Sequence, residues 1–194
     1  MAKKLESNFK NMFLVLLVAT LVSALALSMT YNATKEPIED AKAAKQKAAI
    51  EEVISGFDEI KERNVKDASD HEIKIFECLK NGQCIGVAVQ SYSMNGFSGE
   101  IDVMVGFLPD GTITKTVILS HSETPGLGDK MDAAKSNFPK QFWDKNIADL
   151  RTNNKLQVKK DGGKIDAITA ATISSRAFCD AIDRAYETYQ NNKK

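Results

Sequence analysis

The sequence contains few of the residues that form zinc or iron–sulfur sites or cross-link the chain, since its 194 residues include three cysteines and two histidines. Cys78, Cys84 and Cys179 form no CxxC pair and lie far from His71 and His121 for any metal-ligand spacing. This pattern argues against a zinc or iron–sulfur site built by the chain itself. The 26 acidic residues balance the 26 basic ones, so the chain lacks the positive charge typical of nucleic-acid-binding proteins.

Charge is also absent between Lys10 and Lys35, where the stretch Met12–Met29 consists almost entirely of Leu, Val, Ala and Met. This stretch predicts a transmembrane helix over residues 11–31 that contacts the lipid bilayer, because about 20 apolar residues cross the hydrocarbon core. A cleaved signal peptide ending near Ala24-Leu25-Ala26 is the alternative. The apolar run is longer than the usual signal-peptide core of about 7–15 residues, which favours the transmembrane helix.

The charges before the span predict its orientation. Lys3, Lys4 and Lys10 precede it with one acidic residue, Glu6, whereas the segment after it mixes both signs. By the positive-inside rule we expect residues 1–10 in the cytoplasm and the rest of the chain outside. The location implied is the cytoplasmic (inner) membrane, with a single span.

Residues 32–69 are predicted to be a connecting helical segment. An Ala-, Lys- and Glu-rich helix is expected to begin at Pro37 and to continue to about Ser55, because Gly56 follows. Residues 70–194 are assigned to the extracytoplasmic domain. With about 194 residues in all, the chain has room for one ordinary domain of this kind.

An antiparallel meander of about four strands is predicted in the outer domain. Turns are expected at Asn81-Gly82 and at Pro109-Asp110-Gly111, where residue types that favour turns separate alternating apolar patterns. The predicted strands are Glu72–Leu79, Gln83–Gln90, Glu100–Leu108 and Thr112–Ser120. The fold class is therefore α+β, with an N-terminal transmembrane helix followed by an antiparallel-sheet domain and flanking helices.

The first hairpin leaves a disulfide between Cys78 and Cys84 open. A two-residue loop at Asn81-Gly82 pairs Leu79 with Cys84 and places Cys78 on the other face, whereas a loop of odd length brings the two cysteines opposite each other. Cys179 is expected to be a buried apolar residue.

After the sheet, Ser120–Gly128 is rich in Pro and Gly and predicts an ordered loop, followed by a helical patch at Lys130–Lys135. The spacing of apolar residues from Ile173 to Tyr189 predicts a terminal amphipathic helix. Three aromatic residues between these helices are interpreted as core: Phe138, Phe142 and Trp143.

Immediately before the last helix stands Asp166-Ala167-Ile168-Thr169-Ala170-Ala171-Thr172, with Ser174 and Ser175 in the first turn. A helix N-terminus offers unpaired N–H groups and a positive dipole, and small residues let a ligand approach, so the segment predicts an anion or phosphate site. The alternative is that Thr172 is simply an N-cap.

The segment Asp166-x-x-Thr169-Ala170-Ala171-Thr172 resembles the flavinylation motif of the FMN-binding domain family, Asp-x-x-(Ser/Thr)-Gly-Ala-Thr. The resemblance implies that the FMN phosphate is esterified to Thr172 by a flavin transferase, with Asp166, Thr169, Ala171, Ser174 and Ser175 around the cofactor. The chain departs from the motif at Ala170, where the family usually has Gly. If that position has a positive φ, Ala is strained there by roughly 1 kcal/mol.

A second motif supports the resemblance. Glu123-Thr124-Pro125-Gly126-Leu127-Gly128 is similar to a loop shared by the G subunits of Rnf complexes and the C subunits of sodium-pumping NADH:quinone reductases, and Asn95–Glu100 is similar to a glycine-rich segment of the family. In this interpretation the loop covers the flavin ring, with Glu123 and Thr124 as polar contacts, Leu127 packed on the ring, and Gly126 and Gly128 in the loop backbone. His121 is either a ligand contact or a structural residue.

The resemblance covers about residues 70–190 and implies an electron-transport flavoprotein, one component of a translocase that couples ferredoxin:NAD electron transfer to sodium or proton translocation. The other membrane and peripheral subunits of the Rnf complex are the implied partners. Two alternatives are the C subunit of the quinone reductase and a membrane-tethered module that binds a phosphate-bearing ligand without a redox role. A purely structural role with Thr172 as a helix cap is a third.

Overall fold

The computed structural model describes residues 8–67 and 70–193 and divides the chain into two compact units, Met1–Ala44 and Lys45–Lys194. Within the described residues, the first unit contains most of one long helix, and the second contains a sheet with the remaining helices. Lys3, Lys4 and Glu6, which carry most of the orientation prediction, lie outside the described residues.

Helix α1 spans Phe9–Val53 and contains a stretch long and apolar enough to cross a membrane. Hydroxyl groups in this stretch bond within the helix, as when Thr20 Oγ1 donates to the Leu16 carbonyl at 3.0 Å, and such bonds satisfy them in apolar surroundings. Pro37 lies inside α1. The prediction that a separate helix begins at Pro37 is therefore wrong, because the apolar run and the Ala-rich run join into one helix that a single interior proline does not end.

The second unit contains one sheet of six antiparallel strands whose spatial order follows the sequence. This meander matches the predicted α+β class, and all of the four predicted strands are present with boundaries shifted by a few residues at most, apart from an extended β3. The strands are β1 Glu59–Lys66, β2 Glu72–Lys80, β3 Gln83–Gly96, β4 Gly99–Phe107, β5 Thr112–His121 and β6 Lys145–Asn146.

Strand β1 falls within the segment 32–69 that the sequence predicted to be helical, so that assignment is wrong for residues 59–66. The strand has few apolar residues because it is paired only with β2 and lies at the edge of the sheet. Cross-strand ion pairs join it to β2, one of them between Arg63 and Glu77. Charged side chains on an edge strand also discourage pairing with other chains.

Each face of the sheet packs against a helix. The end of α1 and the residue that follows it place Ala49, Ile50, Val53 and Ile54 against one face, where they are buried with side chains such as Met104. The other face packs against α3, Thr172–Asn192, which the sequence predicted as Ile173–Tyr189. Burial of large apolar side chains on both faces stabilises the unit by about 1.5–3 kcal/mol per side chain.

The loops between β5 and α3 complete the α3 side of the core. Phe138 and Phe142 are buried as predicted, and their ring centroids each lie 5.4 Å from that of Phe178 on α3. Trp143 is half-buried and donates through Nε1 to Thr116 Oγ1. Short elements connect these residues: the 3₁₀ helices Gly128–Met131, Pro139–Gln141 and Lys159–Asp161, and α2, Ile147–Leu150. The helix predicted at Lys130–Lys135 is thus a shorter 3₁₀ turn that begins earlier.

The β2–β3 hairpin has the register of a two-residue loop, with Leu79 opposite Cys84. Cys78 pairs with Gly86 across a bulge and is buried, whereas Cys84 is exposed, and both thiols are free. Cys179 is buried in α3 as predicted. The two-residue alternative therefore describes this hairpin.

Labelling of the native chain with a maleimide at neutral pH is expected to modify Cys84 alone. Burial raises the pKa of the Cys78 thiol to about 11 and that of Cys179 to about 12, so neither forms the reactive thiolate. Intact mass should show one adduct on the native chain and three after denaturation. Cys84→Ser should show no native adduct, and a second native adduct on the unaltered chain would contradict the assigned burial.

Candidate functional site

Helix α3 begins with peptide N–H groups that have no acceptor within the helix. Its first intrahelical bond is donated by Ser175 N to the Ala171 carbonyl, so the N–H groups of residues 172–174 have no acceptor inside the helix. Ala171 occupies the N-cap position and has no capping side chain. The interpretation of Thr172 as the N-cap is therefore wrong: Thr172 is the first residue of the helix, half-buried, and its Oγ1 accepts a hydrogen bond from Lys160 Nζ at 3.3 Å.

The turn before α3 contains the positive φ angle that the motif's glycine suggested. Ala171 N donates to the Ile168 carbonyl at 3.0 Å, which closes a turn, and Ala170 at its third position has φ of 62°. A positive φ at this position is characteristic of turns that prefer glycine. Ala170 is consequently strained where the resembled motif has Gly.

Ser175 fixes this turn from the core side. Its Oγ accepts from Ile168 N and donates to the Ala171 carbonyl, both at 2.9 Å, and the residue is fully buried. No atom of Ser175 is accessible to a ligand, so the predicted ligand contact of Ser175 is not supported. Ser175 instead holds the turn that presents Thr172.

The buried carboxylate of Glu123 joins the loop to two other segments. Its Oε1 accepts from Ser98 N in the β3–β4 turn at 3.1 Å, and its Oε2 accepts from Ser174 Oγ in the first turn of α3 at 2.7 Å. His121 Nδ1 accepts from Glu123 N at 3.1 Å, so His121 has a structural role in the loop. These contacts connect three segments that are distant in the sequence.

Two glycines make room for this carboxylate. A Cβ on Gly96 would lie 2.2 Å from the Gly99 carbonyl oxygen and 2.7 Å from Glu123 Oε1, and a Cβ on Gly128 would lie 2.5 Å from Oε2 and 2.6 Å from Ser174 Oγ. All of these distances are shorter than a van der Waals contact. Gly128 thus serves close packing around Glu123, and Gly96 serves both this packing and the tight turn to Gly99.

A cleft of about 330 Å³ lies between the loop and the start of α3. It brings together most of the predicted cofactor-binding residues, together with three that the prediction did not select. Its lining consists of Glu123, Thr124, Leu127, Gly128, Ala171, Thr172 and Ser174 from the predicted set, and of Phe97, Ala170 and Ile173.

Besides the buried Ser175, three predicted residues lie outside the lining of this cleft. Asp166 and Thr169 are exposed and line a neighbouring cavity, and Asp166 forms an ion pair with Lys159 at 2.8 Å. Gly126 has φ of 78° in the exposed part of the loop, where glycine adopts this angle without strain. The motif therefore contributes to two adjacent cavities.

An apolar rim, consisting of Phe97, Leu127 and Ile173, surrounds the cleft. These side chains are 67%, 41% and 45% exposed, respectively. The only sequence signal for Phe97 was its position between Gly96 and Gly99. A tight turn at this position forces the aromatic side chain outward, so it does not join the core. A partly exposed apolar rim is suited to the face of an aromatic ligand.

Charged side chains are concentrated around the Lys159–Asp161 turn, from which Lys160 contacts Thr172. The bidentate hydrogen bonds from Arg176 to Asp161, at 2.7 and 2.6 Å, hold the pKa of the Asp161 carboxyl below its usual range. They also tie the Lys159–Asp161 turn to α3. Lys160 lies in the middle of this turn, and no sequence pattern indicated that it would approach Thr172.

Residues 96–187 match the family model described as FMN-binding domain. The chain is 30% identical to the G subunit of an ion-translocating oxidoreductase complex of Pseudoalteromonas atlantica, covering 95% of this chain and 89% of the relative. It is 32% identical to the corresponding G subunit of Aliivibrio fischeri, covering 95% and 93%. The G subunit of a Na(+)-translocating ferredoxin:NAD(+) oxidoreductase complex of Acetobacterium woodii is 28% identical, covering 99% and 98%.

Ala170→Gly is expected to stabilise the chain by about 1 kcal/mol, because glycine adopts the positive φ of this turn without a Cβ penalty. Thermal unfolding of the detergent-solubilised chain measures the effect. Ala167→Gly is the matched control, since Ala167 lies in the same segment without a positive φ and should be neutral or slightly destabilising. Equal effects of the two substitutions would contradict the assigned strain.

Glu123→Gln is expected to destabilise the chain by about 1–3 kcal/mol, since the amide has one acceptor oxygen where the carboxylate serves two donors. Denaturant unfolding followed by circular dichroism measures the loss. Glu100→Gln makes the same chemical change at a nearby exposed side chain and should stay within about 0.5 kcal/mol of the unaltered chain. A loss no larger for Glu123 than for Glu100 would rule out the bridging role.

Proposed function

The chain belongs to the family of G subunits of ion-translocating oxidoreductase complexes, and we propose on this basis that its FMN is esterified to Thr172. The protein is an electron-transfer flavoprotein subunit of a translocase. It has no substrate site of its own in this proposal and passes electrons between other centres of the complex.

The observation that carries the proposal is the position of the Thr172 hydroxyl. It lies at the N-terminus of a 21-residue helix, lines a cleft, and is approached by a lysine ammonium group. Helix N–H groups and an ammonium group are suitable partners for a phosphate, and Ala170, Ala171 and Gly128 leave space for it close to the backbone. The residues present therefore fit a phosphate-linked flavin.

The ester joins Thr172 Oγ1 to the phosphorus of FMN. In its formation Thr172 Oγ1 loses its proton and displaces the leaving group of an activated flavin donor, so no electrons are gained or lost. A flavin transferase is the partner for this step in the proposal. The half-exposed hydroxyl at the mouth of the cleft leaves Thr172 within reach of such an enzyme.

The apolar rim would hold the ring system of the cofactor, which supplies one- and two-electron transfer when bound. Phe97, Leu127 and Ile173 are exposed enough to contact an aromatic face and would exclude part of the water from it. Glu123 and Ser174 are already hydrogen-bonded to each other, so they position the cleft walls and keep little capacity for ligand contacts.

The apolar stretch of α1 and the family support a membrane location. We place the span in the cytoplasmic membrane with the N-terminus inside and the flavin domain outside, in contact with the other subunits of the Rnf complex. The sequence has no nicotinamide-binding fingerprint and no set of iron–sulfur cysteines, so centres of that kind would reside in partner subunits. The relative from Acetobacterium woodii is named for sodium, and sodium or a proton is the coupling ion proposed here.

Thr172→Val is expected to abolish covalent flavin, because valine keeps the shape of threonine without the hydroxyl. The chain and the variant are produced with a flavin transferase, and each is examined by intact mass and by in-gel flavin fluorescence. Thr169→Val is the matched control: this hydroxyl belongs to the same motif but lies outside the cleft, so the variant should retain one FMN less water.

An unmodified mass for the unaltered chain would overturn the proposal and favour reversible binding of a phosphate-bearing ligand. Flavin retained in Thr172→Val but lost in Thr169→Val would indicate that the flavin is attached to Thr169 and not to Thr172. If the unaltered chain and Thr169→Val both carry flavin and Thr172→Val does not, Thr172 is the attachment point.

A further inference from the structure

Resting on the proposed function, the geometry points to Lys160 as the residue that pairs with the phosphodiester on Thr172 and favours its formation. Lys160 Nζ lies 3.3 Å from Thr172 Oγ1, the atom that would become part of the ester. A phosphodiester keeps one negative charge at neutral pH. An ammonium group at this distance from its bridging oxygen can reach the neighbouring phosphoryl oxygens.

The surrounding ion pairs explain why this lysine is available. The side chains around the turn provide three cations, Lys159, Lys160 and Arg176, and two carboxylates, Asp161 and Asp166. Lys159 pairs with Asp166, and Arg176 pairs with Asp161. One positive charge remains over these five groups, which equals in magnitude the negative charge that a phosphodiester would bring.

The backbone around Lys160 holds it in place relative to α3. Val158 is fully buried and bridges to Ile165, and Lys159 N donates to the Ile165 carbonyl at 2.8 Å. The Asp161–Arg176 pair links the other end of the turn to the second turn of α3. The ammonium group and the hydroxyl are thus carried by segments that are fastened to each other.

The test is the initial rate of flavin incorporation by a purified flavin transferase into the full chain in detergent, with a flavin dinucleotide as donor. Lys160→Gln is expected to lower the rate by roughly tenfold, as for loss of one charge-assisted hydrogen bond. Lys160→Glu should lower it further, and Lys160→Arg should restore most of it. Lys164→Gln is the control, because Lys164 is in the same loop but donates to the Asp149 carbonyl.

A second measurement separates charge pairing from recognition by the transferase. The unfolding temperature is compared with and without attached flavin for the unaltered chain and for Lys160→Gln, at low and high salt. The gain on flavinylation should be smaller in Lys160→Gln, and salt should reduce the difference. A purely structural lysine would shift the modified and unmodified forms equally.

Equal incorporation rates for Lys160→Gln and Lys164→Gln, or equal gains on flavinylation with and without Lys160, would overturn the inference while leaving Thr172 as the flavin carrier. Failure of the unaltered chain to acquire any flavin would overturn the proposed function, and the inference with it.

Discussion

The buried carboxylate of Glu123 is the constraint on which the site depends. A buried charge is costly unless its acceptor atoms are satisfied, and here both oxygens are served by neutral donors, Ser98 N and Ser174 Oγ. Neutral donors stabilise a buried carboxylate only at hydrogen-bonding distance. The β3–β4 turn, the loop that carries Glu123 and α3 must therefore lie close together. That requirement explains the glycine at 128 and contributes to the need for glycine at 96, where a Cβ would collide with the carboxylate and also with the Gly99 carbonyl. Two motifs far apart in the sequence are thereby constrained by one side chain.

The segment that presents Thr172 is held in place by hydrogen bonds to surrounding residues, and not by the backbone preferences of its own residues. Gln141 accepts from Asp166 N and donates to the Asp166 carbonyl, which fixes the start of the segment. Ser175 fixes its end from inside the core. Between them Ala170 tolerates a positive φ that costs roughly 1 kcal/mol, a strain that such surrounding contacts can hold. The hydroxyl is therefore positioned without serving as a cap and remains accessible for chemistry.

Much of this arrangement could be predicted from sequence, and the failures have physical causes. The four central strands and α3 carry periodic apolar patterns because they border the core, and those patterns predicted them. Strand β1 borders solvent on its free edge and is mostly polar, so its pattern carried no such signal. Pro37 failed as a boundary marker because proline begins some helices and lies inside others, and only the surrounding residues decide. Ser175 carries the right chemical group for a ligand contact but faces the core, a distinction that helix spacing alone did not resolve. The position of Lys160 near Thr172 could not be predicted, because ion pairs set how closely the Lys159–Asp161 turn approaches α3.

The attachment point and the ring environment are separable parts of the site. The charged groups lie around the Lys159–Asp161 turn, and the apolar rim draws one residue each from the β3–β4 turn, the loop after β5 and the first turn of α3. Electrostatic pairing at the phosphate is strong without contact to the ring, and apolar contact at the ring requires no charge. Under the proposed function, substitutions in the rim would therefore alter the surroundings of the flavin ring while the ester to Thr172 and its counter-charge stay unchanged. The proposed covalent link would make this division possible: retention of the cofactor would no longer depend on ring contacts, so Phe97, Leu127 and Ile173 can stay partly exposed. Such exposure would let an electron carrier approach its partners.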